Sequence, residues 1–237
     1  MSVNGSELRV VSAEAVRDVL EGVAARFTKS NGCTFSFSFV TAGQVRRAVE
    51  AGEAISIAVA SGPVIAELLK SGKVAVATDL GRIGLAIAIR DGAPALDIST
   101  PNKLKKTLLA AKSVSYTNPS AGGTAGLYFV ELVKKMGIAD EVNRRAVLSS
   151  GGRDAAQKVA NGEAEFGITF PSEINPIKGA KVGGMLPDEL QNYVTYSATI
   201  PPASKNAEAA RAYLAALTAA SARDLWHAAG FEPHGQN

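Results

Sequence analysis

The sequence predicts an α/β protein of two lobes, and three features of its 237 residues lead to that prediction. Short apolar runs alternate with amphipathic segments, which is the pattern of strands followed by helices. Polar turns rich in Ser, Thr and Gly separate the two kinds of segment. Two longer apolar strands, 83–89 and 193–200, flank the middle of the chain, and we predict that they are crossovers from one lobe to the other and back.

The first lobe is predicted to comprise residues 1–82 together with 200–237. Its opening strands, each followed by a polar turn and a helix, are predicted at 8–11, 34–40 and 55–60. Ser12 follows the first strand and Thr41 the second, and both residue types favour the N-cap position of a helix. Because strand, turn and helix repeat in one order, we expect a parallel sheet. Further helices of this lobe are predicted at 63–70, 207–217 and 222–229.

The second lobe is predicted to comprise residues 83–199. One helix should begin at Thr100-Pro101, since proline is favoured in the first helical turn. Another should be capped by Thr124 and end at Gly137, because glycine commonly terminates helices. The remaining elements of this lobe are predicted as strands at 113–116, 147–148 and 166–170 and a helix at 153–160.

Composition and charge exclude several classes of function. The chain is 46% hydrophobic and 20% charged, as in ordinary globular proteins, and its net charge is only +3. The basic residues are scattered, so we expect no nucleic-acid partner. A single cysteine, Cys33, excludes an internal disulfide and a Cys-rich metal site, and two histidines argue against a zinc centre. We therefore expect neither a metal nor a cofactor.

The start of the sequence and its longest apolar run bear on localisation. The first six residues contain neither the basic nor the apolar segment of a signal peptide. The longest apolar run, 83–89, is too short to span a bilayer. We therefore expect no membrane span and a cytoplasmic protein as the sequence is written, or a periplasmic one if a leader has been removed.

Four strand-to-helix turns concentrate Ser, Thr and Gly, at 11–13, 41–43, 122–126 and 149–153. In an open α/β sheet, ligands bind at the carboxyl ends of the strands. Each such turn also presents backbone N–H groups at the positive end of a helix, and hydroxyls add further donors. The four turns together predict a site for a small anion that is held by dipoles more than by full charges.

Neither glycine-rich turn matches a nucleotide-binding motif. The segment 122–126 lacks the lysine of a P-loop and the glycine spacing of a dinucleotide-binding turn. The Ser-x-x-Lys and Gly-x-Ser-x-Gly nucleophile motifs are absent as well. The anion is therefore not expected to be a nucleotide.

The order and spacing of several segments resemble type II periplasmic solute-binding proteins, and among them the molybdate-binding branch. The matching segments are Val10-Val-Ser-Ala13, Phe39-Val-Thr-Ala-Gly-Gln-Val45, Thr124-Ala-Gly-Leu-Tyr128, Gly152-Arg-Asp-Ala155, Asn161-Gly-Glu-Ala-Glu-Phe-Gly-Ile168 and a C-terminal stretch from Tyr213 to Phe231. The resemblance covers nearly the whole chain. It implies a two-lobe fold with a ligand cleft between the lobes, and an ABC permease as partner if the protein is exported.

In that family, hydroxyl and backbone N–H groups hold the oxyanion. The resemblance implies that the ligand-binding residues here are Ser12, Ala13, Thr41, Thr124, Ala125, Gly152, Arg153 and Phe170. The chain departs from the family pattern at three places: Phe170 replaces a frequent tyrosine, Thr41-Ala42-Gly43 replaces a Ser-Ser-Gly/Ser turn, and Ser56 replaces the usual aspartate. These departures weaken the case for molybdate or tungstate and leave room for an organic anion.

Two function hypotheses remain open, with a cytosolic ligand-sensing module as a weaker third. The first is a protein that captures a small oxyanion or carboxylate by lobe closure. The second is a cytosolic isomerase of an unsaturated polycarboxylate, resembling aconitate isomerase of the same branch, which shifts an allylic proton. Such a reaction needs carboxylate clamps and a base. The candidates are Arg82 and Arg153 as clamps and Glu14 and Glu173 as bases, although both glutamates are expected to be solvated cap residues.

Overall fold

The structure is a computed structural model and describes residues 5–233. The described chain divides into two compact units, each with one β-sheet. The first unit runs up to Arg82 and resumes at Val194, and the second is Ile83–Tyr193. Among the described residues, no helix is both long enough and apolar enough to cross a membrane.

The strands, in chain order, are β1 (Glu7–Ala13), β2 (Thr34–Val40), β3 (Ile57–Ser61), β4 (Ala77–Ile83), β5 (Ala86–Arg90), β6 (Val114–Thr117), β7 (Ala146–Ser149), β8 (Phe166–Thr169), β9 (Ala180–Met185), β10 (Val194–Thr199) and β11 (Glu232–Pro233). The α-helices are α1 (Arg17–Asn31), α2 (Ala42–Glu50), α3 (Gly62–Lys70), α4 (Pro101–Ala110), α5 (Thr124–Lys135), α6 (Ala139–Asn143), α7 (Gly152–Asn161), α8 (Pro171–Ile174), α9 (Ala207–Thr218) and α10 (Arg223–Ala228). The predicted order of strands and helices is largely confirmed. The short elements α6, α8 and β11 were missed. So were β4, apart from Ile83, and β9, whose two glycines give it no clear strand pattern.

The sheet of the first unit has the strand order β11-β4-β10-β3-β1-β2. Strand β1 pairs in parallel with both β2 and β3, which confirms the predicted parallel arrangement for these three. The later strand β10 adds to β3 in the antiparallel direction, and β11 adds to β4 in the same way. The carboxyl ends of β1, β2 and β3 therefore meet at one edge of this sheet.

The sheet of the second unit has the order β7-β6-β8-β5-β9. Strand β6 pairs in parallel with β7 and β8, whereas β5 is antiparallel to its neighbours β8 and β9. The carboxyl ends of β6, β7 and β8 form an edge of the same kind as in the first unit.

The predicted long strand at 83–89 is wrong, because the chain breaks there into β4 and β5. The side chain of Gln191 explains the break: its Oε1 accepts from Leu85 N at 2.7 Å and its Nε2 donates to Leu85 O at 3.0 Å. The N–H of Leu85 is thus bonded to a side chain, while its carbonyl oxygen accepts from both Gln191 Nε2 and Leu186 N. A Cβ at Gly84 would lie 2.9 Å from the Gln191 amide, so glycine allows this close approach.

Strand β10 also differs from the prediction, which placed residues 194–199 in the second lobe. Its residues Tyr196–Thr199 pair with β3, from Tyr196 opposite Ser61 to Thr199 opposite Ala58. The whole strand therefore belongs to the first unit. The reason is its antiparallel pairing with a strand more than a hundred residues earlier, which no local pattern reveals.

Helices α1 and α9 pack together in the first unit. The apolar residues of α1 that recur at helical spacing, including Leu20 and Phe27, are buried. Tyr213 of α9 is fully buried, and its hydroxyl donates to Leu20 O at 2.6 Å. Phe27 lies edge-on to Tyr213, with 5.6 Å between ring centroids. This contact anchors the C-terminal segment to the first half of the chain.

Candidate functional site

Three neighbouring parallel strands of the first unit end side by side in residues with hydroxyl groups. Ser12 lies near the end of β1, Thr41 directly follows β2, and Ser61 is the last residue of β3. Adjacent strands lie about 4.8 Å apart, so the three positions share one edge. All three residues are buried. We call Ser12, Ala13, Glu14, Thr41 and Ser61 the first edge.

Ser12 does not cap a helix as predicted, because β1 extends through Ala13. The following 3-10 turn begins at Glu14 with Ala13 as its N-cap residue. The Ser12 hydroxyl donates to Ala13 O at 2.9 Å. Pairing of β1 with strands on both sides keeps Ser12 extended, and this outweighs its tendency to start a helix.

Thr41 caps α2, as predicted, through a capping box. Its Oγ1 accepts from Gln44 N at 3.3 Å, and Gln44 Oε1 accepts from Thr41 N at 2.9 Å. The first N–H groups of a helix have no partner within the helix. The box uses the N–H groups of Thr41 and Gln44, so Ala42 and Gly43 supply the N–H groups that remain for a ligand.

Ser61 and Arg17 are residues of this edge region that the sequence reasoning missed. Ser61 precedes α3, which has proline in its first turn, and Ser followed by Gly-Pro was a usable signal. Arg17 lies over the ring of Phe39, 4.5 Å from its centroid, and Phe39 is the register partner of Ser12. Arg17 also pairs with Glu14 at 3.5 Å. A cation therefore lies close to the first edge.

Arg82 lies elsewhere in the first unit. It is on β4, which β10 separates from β3. Its Nε donates to Glu232 Oε2 at 2.6 Å, in an exposed ion pair between β4 and β11. The structure thus brings Glu14 to the hydroxyl-bearing strand ends and leaves Arg82 at the other side of the sheet.

The second unit also has a row of hydroxyls at the carboxyl ends of three parallel strands. Thr117 of β6 is in register with Ser149 of β7, and Tyr116 is in register with Ile168, which places Thr169 of β8 beside Thr117. Ser149, Thr117 and Thr169 are all buried. We call these three residues, with Thr124, Ala125, Gly152, Arg153, Phe170 and Glu173, the second edge.

The N-terminus of α5 presses against the end of β6. A Cβ at Gly126 would overlap the carbonyl oxygen of Thr117, and one at Gly123 would lie 2.5 Å from Thr117 Cγ2. Gly123 is the N-cap residue and Thr124 the first helical residue, so the predicted cap is shifted by one position. The two glycines allow this close packing and place the Thr124 and Ala125 N–H groups at the second edge.

The turn before α7 is fixed by its own side chains. Ser149 Oγ donates to Gly151 O at 2.9 Å. Asp154 Oδ2 accepts from Ser150 N at 2.8 Å and from Ser150 Oγ at 3.0 Å. These bonds orient the start of α7, where Gly152 and Arg153 are the first residues.

Glu173 is buried at this helix start, so the expectation of a solvated cap residue is wrong. Glu173 is a residue of α8 and is only 5% exposed. Its Oε2 accepts a hydrogen bond from Thr169 Oγ1. A Cβ at residue 152 would overlap both Glu173 Oε2 and Thr169 Oγ1. The carboxylate therefore lies against the N-terminus of α7, whose dipole favours a negative group. Part of the predicted anion position is filled by the protein's own carboxylate.

Phe170 is the N-cap residue of α8 and is buried. It supplies no hydroxyl to the second edge. Among the described residues, no cluster of three or more His, Cys, Asp or Glu side chains has an arrangement that holds a metal ion. The polar groups of the two edges are hydroxyls, backbone N–H groups, Arg153, Glu14 and Glu173, and Arg17 lies beside the first edge.

Comparison with known proteins agrees with this architecture. The family described as bacterial extracellular solute-binding protein matches residues 8–232. The chain belongs to this family. The two sheets, in which parallel strands are followed by helices, are those of a two-domain type II binding-protein fold.

Three individual proteins illustrate the range of this solute-binding family. Aconitate isomerase of Pseudomonas sp is 27% identical, across 95% of this chain and 87% of that protein. The molybdate-binding protein ModA of Escherichia coli is 22% identical, across 95% of this chain and 88% of that protein. The periplasmic molybdate-binding protein of Azotobacter vinelandii has a structure that superposes with a TM-score of 0.76 at 19% identity, covering 95% of this chain and 98% of that one.

Proposed function

We propose that this solute-binding protein captures a small carboxylate or oxyanion with donors of the kind that each edge offers. One observation supports this most strongly: in each unit, three parallel strands end in hydroxyl residues beside the start of a helix. Such ends combine oriented N–H groups with hydroxyls, which bind anions without needing a strongly basic chain. The proposed direct donors are the N–H groups of Thr124 and Ala125 and the hydroxyls of Ser12 and Thr41. On ligand binding these hydroxyls would turn away from Ala13 O and Gln44 Oε1, to which they donate in this structure.

We propose further that the ligand is an organic carboxylate rather than molybdate. A tetrahedral dianion is best held by a full set of donors, but Phe170 supplies no hydroxyl and Glu173 adds a negative charge. A polycarboxylate can spread its charges and keep its carboxylates away from Glu173, whereas a tetrahedral dianion concentrates its charge in one place. Arg17 and Arg153 supply cations for carboxylate groups, and Arg pairs well with carboxylates in two-pronged geometry.

Calorimetric titration tests both statements. The protein is titrated with molybdate, tungstate, sulfate, phosphate and a series of di- and tricarboxylates. We expect saturable binding of at least one polycarboxylate, tighter than that of any of the four inorganic anions. Binding of none of these compounds contradicts the anion-capture proposal, and preferential binding of molybdate contradicts the organic ligand alone.

A second function, isomerisation of an unsaturated polycarboxylate, is favoured by the buried Glu173. A base in such a reaction takes a proton from one allylic carbon, and the negative charge delocalises onto the conjugated carboxylate. The same group then returns the proton to the other end of the allylic system, so atoms and charge balance. Glu173 is held by Thr169 beside the start of α7, as a positioned base requires. Similarity to aconitate isomerase supports the same substrate class.

Incubation with trans-aconitate, followed by NMR, tests this second function. The enzyme hypothesis predicts appearance of the cis isomer with wild type and its loss in Glu173→Gln. An inert mixture at high protein concentration excludes that substrate while leaving the binding proposal intact.

Transport and catalysis also differ in the partners they require. As a transport protein, this family member would act outside the cytoplasm and deliver its ligand to an ABC permease, and this is part of the first proposal. Neighbouring genes for a permease and an ATPase support that role, whereas neighbouring genes of tricarboxylate metabolism support the isomerase.

A further inference from the structure

The first unit contains a cavity of about 610 Å³ that belongs to neither edge. Its lining includes the end of β10 and the residues just before β4. Because β10 is antiparallel to β3, Thr199 lies opposite Ala58, near the beginning of β3. Ser61, at the other end of β3, belongs to the first edge. The cavity is therefore at the opposite end of the sheet from the first edge.

One face of α9 forms a wall of this cavity. Arg211, Leu214 and Ala215 are spaced i, i+3 and i+4, which places them on the same side of the helix. Val76 and Pro201 also line the cavity, and Val76 is 72% exposed. The cavity thus combines apolar walls with a single arginine.

Two polar groups of the cavity are left unused by the protein. Arg211 makes no ion pair with any residue in the range 5–233. The hydroxyl oxygen of Ser204 is buried and has no hydrogen-bond partner in that range. Buried polar atoms in native proteins almost always have a partner, and the Ser204 hydroxyl would gain one from a ligand atom or water if its side chain turned into the cavity. Arg211, an exposed residue of the cavity wall, favours an anionic group in the ligand.

We propose that this cavity binds a small amphipathic carboxylate, such as a medium-chain fatty acid. The carboxylate interacts with Arg211 and accepts a hydrogen bond from Ser204, while the apolar body lies along Leu214, Ala215 and Val76. Its volume falls within the range of small-molecule sites, which are mostly apolar with a few polar groups that fix orientation. The second site is independent of the proposed function, since it shares no residue with either edge.

Calorimetric titration with octanoate tests this proposal on the full chain. Wild type is expected to bind one octanoate, and Arg211→Gln to weaken binding at least about fivefold through loss of a charge-assisted hydrogen bond. Arg223→Gln is the matched control: Arg223 is an exposed arginine of α10 that also makes no ion pair in the described range. It should leave the affinity unchanged, and uncharged 1-octanol should bind less tightly than octanoate.

Two further variants locate the octanoate. Ala215→Trp, at an exposed position of the cavity wall, should abolish binding while the thermal unfolding midpoint stays near that of wild type. Thr41→Val, at the first edge, should bind octanoate as wild type does. Absence of saturable binding to wild type overturns the proposal, as does equal affinity in Arg211→Gln or Ala215→Trp. Weakened binding in Thr41→Val would assign octanoate to the first edge and likewise overturn it.

Discussion

Gly152 and Glu173 occupy adjoining space at the start of α7, so closely that a Cβ at residue 152 would overlap the Glu173 carboxylate. The N-terminus of α7 therefore faces a negative group contributed by α8. This contact connects the packing of the second unit with the chemistry of its edge, and the first two predictions follow from it.

Substituting Gly152 with alanine should destabilise the protein by about 1–3 kcal/mol, as overpacking typically does. The added methyl group must displace Glu173 and Thr169. Denaturant unfolding measures the change. Gly62→Ala is the control, since a Cβ there would lie at an ordinary 3.4 Å from Thr195 O. In a Gly152→Ala/Glu173→Ala double variant, the two effects should not add; strict additivity would contradict the predicted overlap.

Replacing Glu173 with glutamine should strengthen the binding of a polycarboxylate by roughly tenfold, because a like charge close to the ligand is removed. If the protein is an isomerase, the same variant should lose turnover while it binds substrate more tightly. Calorimetry and NMR measure the two effects separately. Weaker binding in Glu173→Gln would mean that the carboxylate contacts a ligand donor rather than repelling an anion.

Replacing Thr41 with alanine should lower the free energy of unfolding by about 1 kcal/mol, since the capping box of α2 is lost. It should also weaken binding of the anion, because Thr41 belongs to the first edge. Thr100 caps α4 by accepting from Lys103 N at 3.3 Å and lies at neither edge. Thr100→Ala should therefore destabilise the protein to a similar extent without changing anion affinity. If Thr41→Ala and Thr100→Ala lost anion affinity equally, the loss would be due to general destabilisation rather than to a missing contact with the anion.

Replacing Tyr213 with phenylalanine should change the dependence of stability on pH. Burial raises the pKa of Tyr213 above its ordinary value of 10.0. The folded state thus favours the neutral phenol, and this contribution to stability is present below pH 10.0 and is lost as the pH rises above it. Between pH 8 and pH 10.5, the free energy of unfolding should therefore fall more for wild type than for Tyr213→Phe. The upper pH is about 0.5 unit above the ordinary tyrosine pKa, so that the unfolded state ionises. Parallel pH profiles from urea unfolding would contradict the prediction.

At lower pH, Tyr213→Phe should cost about 1 kcal/mol, because Leu20 O loses its buried hydrogen-bond donor. Tyr128→Phe provides a comparison: its hydroxyl donates to Leu190 O at 2.9 Å but is less buried. If Tyr128→Phe lowered the free energy of unfolding more than Tyr213→Phe does, the importance assigned to the α1–α9 contact would be contradicted.

Local patterns in the sequence were sufficient for most of the order of strands and helices. Thr41 was correctly predicted to cap α2, since both partners of its capping box lie within four residues. The helix after Thr100 was predicted from another local signal, the proline at its first position. Segment order also indicated the family, which the match over residues 8–232 confirms. Roles assigned to individual residues, such as Ala125 as a ligand donor, stay predictions.

The sequence by itself thus determined the α/β class, most helix starts and the family, because capping and helical periodicity act over a few residues. Only the tertiary structure decided that Ser12 stays in β1, that β10 joins the first sheet, and that Glu173 is buried against Gly152. Strand pairing and burial depend on contacts between residues far apart in the chain, such as the 106 positions that separate Leu85 from Gln191. Whether a residue follows its local preference or pairs with neighbouring strands therefore depends on the packing of the whole unit.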